Sequence, residues 1–421
     1  MPFALADCNN FFVSCERAFQ PDLEGKPVVV LSNNDGCVVA RSNESKAMGI
    51  AMGTPFFKIK HLVENGSLYV RSSNYSLYGD LSSRVMSILA SAFPEIEVYS
   101  IDEAFLRADG MNMDTLPSLC SSLVRHIRKC VGIPVSIGIA DTRTLAKAAS
   151  HFAKKYKGYK GVCRIGNEVQ RLKALSLTPI DNVWGIGRRM APKLSQMGIR
   201  TAAEFAARPE NFVRRLMGIT GVRTWKELNG ISCISADKND IRQSICTSRS
   251  FANTISDLKE LTARVSDFAA ICAKKLRDDG SVAEKVTTFL YTNRFREDLP
   301  QDFPDTTIRL QVPANNTQEI VAAALHALRL AWKPGFEYKK AGVIVHGIVR
   351  ADEVQGSLFD FDDELRQRQN KLSDIMDKVN SSGKSLLRVA TQREGHYADG
   401  IRKEHCSKPY STRWDSLIEV H

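Results

Sequence analysis

The chain has 10 cysteines in 421 residues but no C-x-x-C pair and no Cys/His pair at ligand spacing, so neither a zinc site nor a disulfide framework is indicated. The cysteines read as reduced core or surface thiols. No run of about 18 apolar residues occurs, which argues against a membrane span. The opening "MPFALADCNN" has neither a basic leader nor a small-residue cleavage site, so a cytoplasmic protein with no membrane partner is expected. No repeat relates the two halves. Negative charge is the scarcer sign: 47 Asp and Glu face 58 Lys and Arg, a net +11 that favours a polyanionic partner such as nucleic acid.

What is present is a soluble composition long enough for about two to four domains. "PFALADC" reads as a strand ending at Asp7, and "KPVVVLS" (26–32) as a β-branched strand before the turn "NNDG". Val85, Leu89 and Phe93 recur at helical spacing up to Pro94, and Leu116, Leu119, Leu123 and Ile127 mark a second helix. After the strand "IPVSIGIA" comes a helix opened by Asp141 or Thr142, carrying Lys147, Lys154 and Lys155. With 19–71 set aside, the order is β-α-β-β-α-β, a split ferredoxin-like sheet with helices on one face. Residues 173–230 read as helical and basic, 231–246 as a linker, and a second βαββαβ succession follows to about 350. The last seventy or so residues are polar.

One stretch resists a purely structural account. "YSIDEAFL" puts adjacent carboxylates, Asp102 and Glu103, into a run that otherwise reads as a buried strand. On a continuous strand the two side chains point to opposite faces, so one of them joins apolar company. A polar turn is the plainer reading of the dipeptide. A hairpin that brings both acids to one spot around a shared cation is the alternative, and Asp7 could end on a neighbouring central strand. Carboxylate oxygens suit Mg²⁺, and acids sharing two such ions are the core of two-metal phosphoryl transfer.

"LADCNNFFVSCE", "VVVLSNNDGCVVARSNESKAMG", "SSNYSLYGDLSSRVM", "YSIDEAF", "GIADTRTLAKAASHFAKK" and "DNVWGIGRRMAPKL" together resemble Y-family DNA polymerases, and within them the UmuC subgroup, nearly end to end and in the family's order. The resemblance implies a multidomain α/β (α+β) right-hand polymerase. Its parts would be a ferredoxin-like palm (1–18 and 72–172), small fingers (19–71), a helical thumb with a helix-hairpin-helix (173–232), a linker (233–246), a βαββαβ little finger (247–350), and a clamp-binding motif with a C-terminal partner-binding tail (351–421).

Carried over residue by residue, the resemblance makes Asp7, Asp102 and Glu103 the catalytic, metal-binding acids, with the Cys8 carbonyl as a further ligand of two Mg²⁺ ions. Phe11, Phe12, Asn43, Lys46 and Lys154 would meet the incoming nucleotide, with Phe12 as the steric gate against a 2′-hydroxyl. The subgroup often has Tyr at the gate, so here the ring is kept and the hydroxyl lost. Asn43 and Lys46 stand where many members have Tyr and Arg, and a lysine cannot make a bidentate fork. Gly185 and Gly187 with Arg188, Arg189 and Lys193 would grip the duplex backbone without reading sequence. Arg294, Arg296, Lys339 and Lys340 are candidate phosphate contacts of the second βαββαβ unit. Gln355, Leu358 and Phe359 in "QGSLFDF" resemble the short peptide that docks on a sliding clamp.

The expected activity is error-prone translesion synthesis in damage tolerance and SOS mutagenesis. It would use primer-template DNA and deoxynucleoside triphosphates, with a UmuD′-like dimer, a RecA filament and the sliding clamp as partners, in the cytoplasm at the nucleoid. No further acid cluster suggests a proofreading exonuclease. Two alternatives are a catalytically weak, clamp-tethered DNA-binding scaffold and a palm-fold nucleotidyl cyclase. All three acids are present, against the first, and "GIG" and "QGSLF" have no use in the second.

Overall fold

The apolar run that opens the chain forms β1 (Phe3–Cys8), and both of its faces are buried. Ala4, Ala6 and Cys8 enter one core while Phe3 and Leu5 enter another, as strand alternation requires. The computed structural model describes residues 2–235, 242–354, 363–381, 386–392 and 402–416. They fall into two units, Met1–Ala236 with Lys403–His421, and Asp237–Arg402.

In the first unit α1 (Phe11–Phe19) follows β1. A three-stranded sheet comes next, built from β2 (Val28–Leu31), β3 (Val38–Arg41) and β4 (Tyr69–Ser72), with α2 (Asn43–Ala47) and α3 (Phe56–Glu64) inserted between β3 and β4. Val29, Leu31, Ile50, Ile59 and Val70 give this insertion its own small core. The chain returns through α4 (Tyr75–Ala92), capped by the Asn74 side chain on the Leu77 N–H and ended before Pro94. β5 (Glu95–Val98), β6 (Glu103–Arg107), α5 (Leu116–Val131), β7 (Val135–Ala140), α6 (Arg143–Lys155) and β8 (Val162–Ile165) complete a five-stranded sheet of order β5-β6-β1-β7-β8.

The two crossover helices, α4 and α5, share the core of Ala4, Ala6 and Ile137, on one face as the sequence pattern implied. α6 covers the other face, where Leu145 and Ala149 meet Phe3, Leu5 and Phe105. One-sided covering is therefore corrected to two-sided, which is why β7 is buried at every position. Gly138 marks the closest approach: a Cβ there would lie 2.0 Å from the Ser150 nitrogen on α6. Thr142, not Asp141, caps α6 by accepting from the Leu145 N–H at 3.3 Å. α7 (Glu168–Leu177), α8 (Met190–Gln196), α9 (Ala202–Ala206) and α10 (Glu210–Leu228) add Leu175, Leu194, Phe205 and Val222 to the α6 core.

The second unit is a four-stranded antiparallel sheet of order β11-β10-β12-β9 with α11 (Leu258–Asp278) and α12 (Thr317–Ala331) on one face. Its strands are β9 (Ser244–Ile255), β10 (Ser281–Thr292), β11 (Asp305–Ala314) and β12 (Tyr338–Arg350). β9 starts inside the stretch read as linker. Only Ile245, Phe251 and Ile255 of its apolar side chains are buried, so its hydrophobic alternation is faint, and pairing with β12 supplies the order. α13 (Asp363–Asn380) packs on α11 and α12: Arg277 pairs with Asp377 at 2.7 Å, and Ser373 accepts the Thr317 N–H at 3.1 Å. The polar C-terminal stretch is thus shared, with 363–392 in this unit and 403–416 in the first.

Candidate active site

"YSIDEAFL" is a hairpin, not a continuous strand. β5 ends at Val98, β6 begins at Glu103, and the Tyr99 and Ser100 N–H groups both donate to the Glu103 carbonyl at 3.0 and 3.1 Å. Ser100 ties the turn together, because its hydroxyl donates to Asp102 Oδ1 at 2.6 Å and accepts the backbone N–H groups of Asp102 and Glu103 at 3.2 and 3.0 Å. Asp7 on β1 stands directly opposite Glu103 on β6. The Cys8 N–H donates to the Asp102 carbonyl at 2.9 Å, drawing the turn onto the end of β1. Three carboxylates therefore meet at one end of two adjacent central strands.

One face of α6 answers them with positive charge. Arg143 forks onto Glu97 at 2.9 and 2.6 Å, Lys147 sits on Glu103 at 2.8 and 2.7 Å, and Lys154 reaches Asp7 at 2.9 Å. These spacings of about one and two helical turns put all three cations on one side. Burial raises the Glu103 carboxyl above its ordinary value, with Asp7 and Asp102 adding to the rise and Lys147 opposing it. Burial likewise pushes the Cys8 thiol far up, so it stays protonated and only the Cys8 carbonyl is a sensible hard-cation ligand. Among the described residues no three His, Cys, Asp or Glu side chains close into a cation cage. The donor set nonetheless suits a hard divalent cation: carboxylate oxygens that already attract two ammonium groups.

The residues expected to meet a nucleotide gather beside these acids. Asn10, at the start of α1 in the left-handed region at φ 48°, makes no capping bond with its side chain and instead ties down the α2 pair: its amide donates to Asn43 at 3.1 Å and its oxygen accepts from Lys46 at 2.5 Å. Burial, then the charges of Lys154 and Arg41, lower the Lys46 ammonium below its usual range, as expected for cations crowded together before an anion arrives. Phe11 is buried in the core, whereas Phe12 is partly exposed and lies flat on Tyr78, centroids 4.4 Å apart and 15° between planes.

The "GIG" glycines differ. Gly185 has φ 91°, and a Cβ there would fall 2.4 Å from Thr224 Oγ1 on α10, whereas a Cβ at Gly187 meets nothing within 4 Å. Gly185 is thus demanded by packing and Gly187 is open. Arg188, Arg189 and Lys193 are exposed and unpaired among the described residues. In the second unit the candidates fare unequally. Arg296 is bound to Asp298 at 2.6 Å and Lys339 donates to the Ala252 carbonyl at 2.8 Å, while Arg294 and Lys340 lie over Phe303 and Phe289. Gln355, Leu358 and Phe359 lie outside the described residues. Sequence reasoning gave no role to Lys147, Asn10, Ser100 or Tyr78. Lys147 alone had a signal, since it shares a helix face with Lys154.

The chain has matches among known families, proteins and solved structures. The model described as impB/mucB/samB family matches residues 6–151, that of the impB/mucB/samB family C-terminal domain matches 242–358, and a domain of unknown function (DUF4113) matches 370–420. The chain is 38% identical to Protein ImpB of Salmonella typhimurium over 99% of its own length and 98% of the relative's. It is 37% identical to Protein UmuC of Salmonella typhimurium strain LT2, over 99% and 100%. DNA polymerase IV 1 of Bacillus subtilis is 28% identical over 91% of each chain. Among solved structures, a Y-family DNA polymerase chimera of Dbh and Dpo4 superposes with a TM-score of 0.66 at 22% identity, covering 83% of this chain and all of that one.

Proposed function

Because this chain belongs to the impB/mucB/samB family, as a UmuC-type Y-family DNA polymerase acting in translesion synthesis and SOS mutagenesis, we propose that Asp7, Asp102 and Glu103 are the acids that run its nucleotidyl transfer. DNA and nucleotides are its substrates, and divalent metal dependence comes with the family. The nucleotidyl cyclase reading falls with that assignment. The observation that carries the proposal is the pairing of Asp7 with Glu103 across β1 and β6, with Asp102 in the turn beside them.

The three acids and the Cys8 carbonyl would hold two Mg²⁺, which would supply a lowered pKa for the primer 3′-hydroxyl and charge neutralisation on the leaving oxygen. Lys147 and Lys154 pair with Glu103 and Asp7, and metal ligation would replace those pairs. Lys154 and Lys46 are left to face the triphosphate, with Asn43 held near by Asn10. Phe12 lies under the sugar as the gate, with Phe11 supporting it from the core. Residues 1–18 and 72–172 form the palm, 19–71 the fingers, 173–232 the thumb and the second βαββαβ unit the little finger. Gly187, Arg188, Arg189 and Lys193 hold the duplex backbone, and Gly185 secures their turn against α10. Gln355, Leu358 and Phe359 dock on the sliding clamp, and a UmuD′-like dimer and a RecA filament complete the active assembly at the nucleoid.

Primer extension across an abasic template, with those partners supplied, tests the assignment. Asp102→Asn should cut extension by about a thousandfold or more, the scale of losing an electrostatic anchor of the transition state. Equal extension by variant and unaltered protein would remove Asp102 from the reaction.

A further inference from the structure

The floor under Phe12 leads away from the active site to the other end of the chain. Tyr78 on α4 is fully buried, and its ring carries Phe12. Its hydroxyl donates to Glu16 Oε1 at 2.7 Å, and Glu16, one helical turn beyond Phe12 on α1, is itself fully buried. The Ser407 hydroxyl approaches the same oxygen at 3.3 Å. A segment from the C-terminal end of the sequence thus shares a single buried carboxylate oxygen with the tyrosine that underlies the gate.

That segment is fastened within the first unit along its length. The Glu404 N–H donates to the buried Asp35 carboxylate at 2.9 Å, and His405 and Ser72 exchange bonds of 3.0 Å each. Asn74, the residue that caps α4, donates to Ser407 Oγ at 3.0 Å and to the Lys408 carbonyl at 3.3 Å. The Tyr410 ring stacks on Phe19 at the far end of α1, 5.0 Å between centroids and 9° between planes. Both helices that frame the gate, α1 and α4, are therefore held by residues 404–410.

We propose that residues 404–410 are a positioning element for sugar selection: through Ser407, Glu16 and Tyr78 they fix the plane and height of the Phe12 ring. The inference rests on Phe12 being the gate. A gate works by excluding one hydroxyl, so a displacement of about half an ångström decides whether a ribose fits. Among the described residues Glu16 makes no ion pair, and the Tyr78 and Ser407 hydroxyls are the side chains that bond its buried Oε1. Loss of either donor frees the Tyr78 ring to tilt, and Phe12 tilts with it.

The test uses the full-length protein under conditions in which it extends a primer, and reads kcat/KM for a ribonucleotide against the matching deoxynucleotide. Four variants are compared: Ser407→Ala, Tyr78→Phe, Tyr410→Ala and Phe12→Ala. The first three should each raise the ribose-to-deoxyribose ratio about fivefold or more, the scale of one ordinary hydrogen bond, while deoxynucleotide kcat/KM stays near that of the unaltered protein even where the thermal midpoint falls because a buried acceptor has lost its donor. Phe12→Ala should raise the ratio further. If Phe12→Ala relaxes sugar selection but the other three leave the ratio unchanged, or lower both activities in proportion, the tail has no such role and the gate assignment stands. If Phe12→Ala leaves the ratio unchanged, the gate assignment itself fails and this inference fails with it.

Discussion

Asp102 and Glu103 are neighbours in sequence with different surroundings: Ser100 holds the first by a hydroxyl, and Lys147 holds the second by charge. The acids themselves were legible, since Asp7, Asp102 and Glu103 stand in motifs that carry the family resemblance. Their partners were not, because a serine turn, a lysine on a helix face or a tyrosine beneath a ring gains meaning only from the tertiary arrangement. Glu16 is the clearest such case. Burial raises its carboxyl above the ordinary value of 4.5, with the Tyr78 and Ser407 hydroxyls opposing the rise. Between that value and the higher native one the native state binds more protons than the unfolded chain, so ionising Glu16 costs stability as pH climbs. Glu16→Gln removes the titration and keeps an oxygen for both donors. The difference in thermal midpoint, variant minus unaltered protein, should therefore grow more positive from about pH 5 to pH 8, as read by calorimetry. A difference that shrinks with pH would mean that Glu16 is stabilised as the anion.

At the scale of elements, the split ferredoxin order was readable because its strands and helices have clean periods, and the hairpin at 99–102 was weighed as an alternative to a strand. Two things stayed hidden. The faint pattern of β9 concealed where that strand begins, inside the stretch read as linker, and the covering of the second sheet face by α6 depended on close packing at Gly138. The glycines before α8 separate packing from function at this scale. Gly185→Ala forces a Cβ onto Thr224 at a positive φ and should destabilise the first unit by about 1–3 kcal/mol in a denaturant titration. Gly187→Ala meets open space and should leave the midpoint unchanged, yet weaken binding of primer-template DNA severalfold by holding the backbone away from phosphate. Stability losses of equal size in both variants would make the turn purely structural.

At the scale of the whole molecule, the chain leaves its first unit near residue 236 and returns to it near 403, so its C-terminal region serves both units. A net charge of +11 accounts for attraction to DNA, but neither charge nor composition indicated that return. Deletion of residues 355–359 should leave extension without the clamp unchanged and abolish its stimulation by the clamp, measured on a singly primed circular template. Unchanged stimulation would dismiss the docking peptide. The central claim is that the β5–β6 turn and the end of β1 exchange lysine partners for metal, and counting ions tests it most directly. In a complex of the full-length protein, dideoxy-terminated primer-template and the next nucleotide, Mn²⁺ titration followed by electron paramagnetic resonance should give about two tightly bound ions per chain. Asp102→Asn should retain no more than the ion carried in by the nucleotide. The same count of two in both proteins would contradict the account.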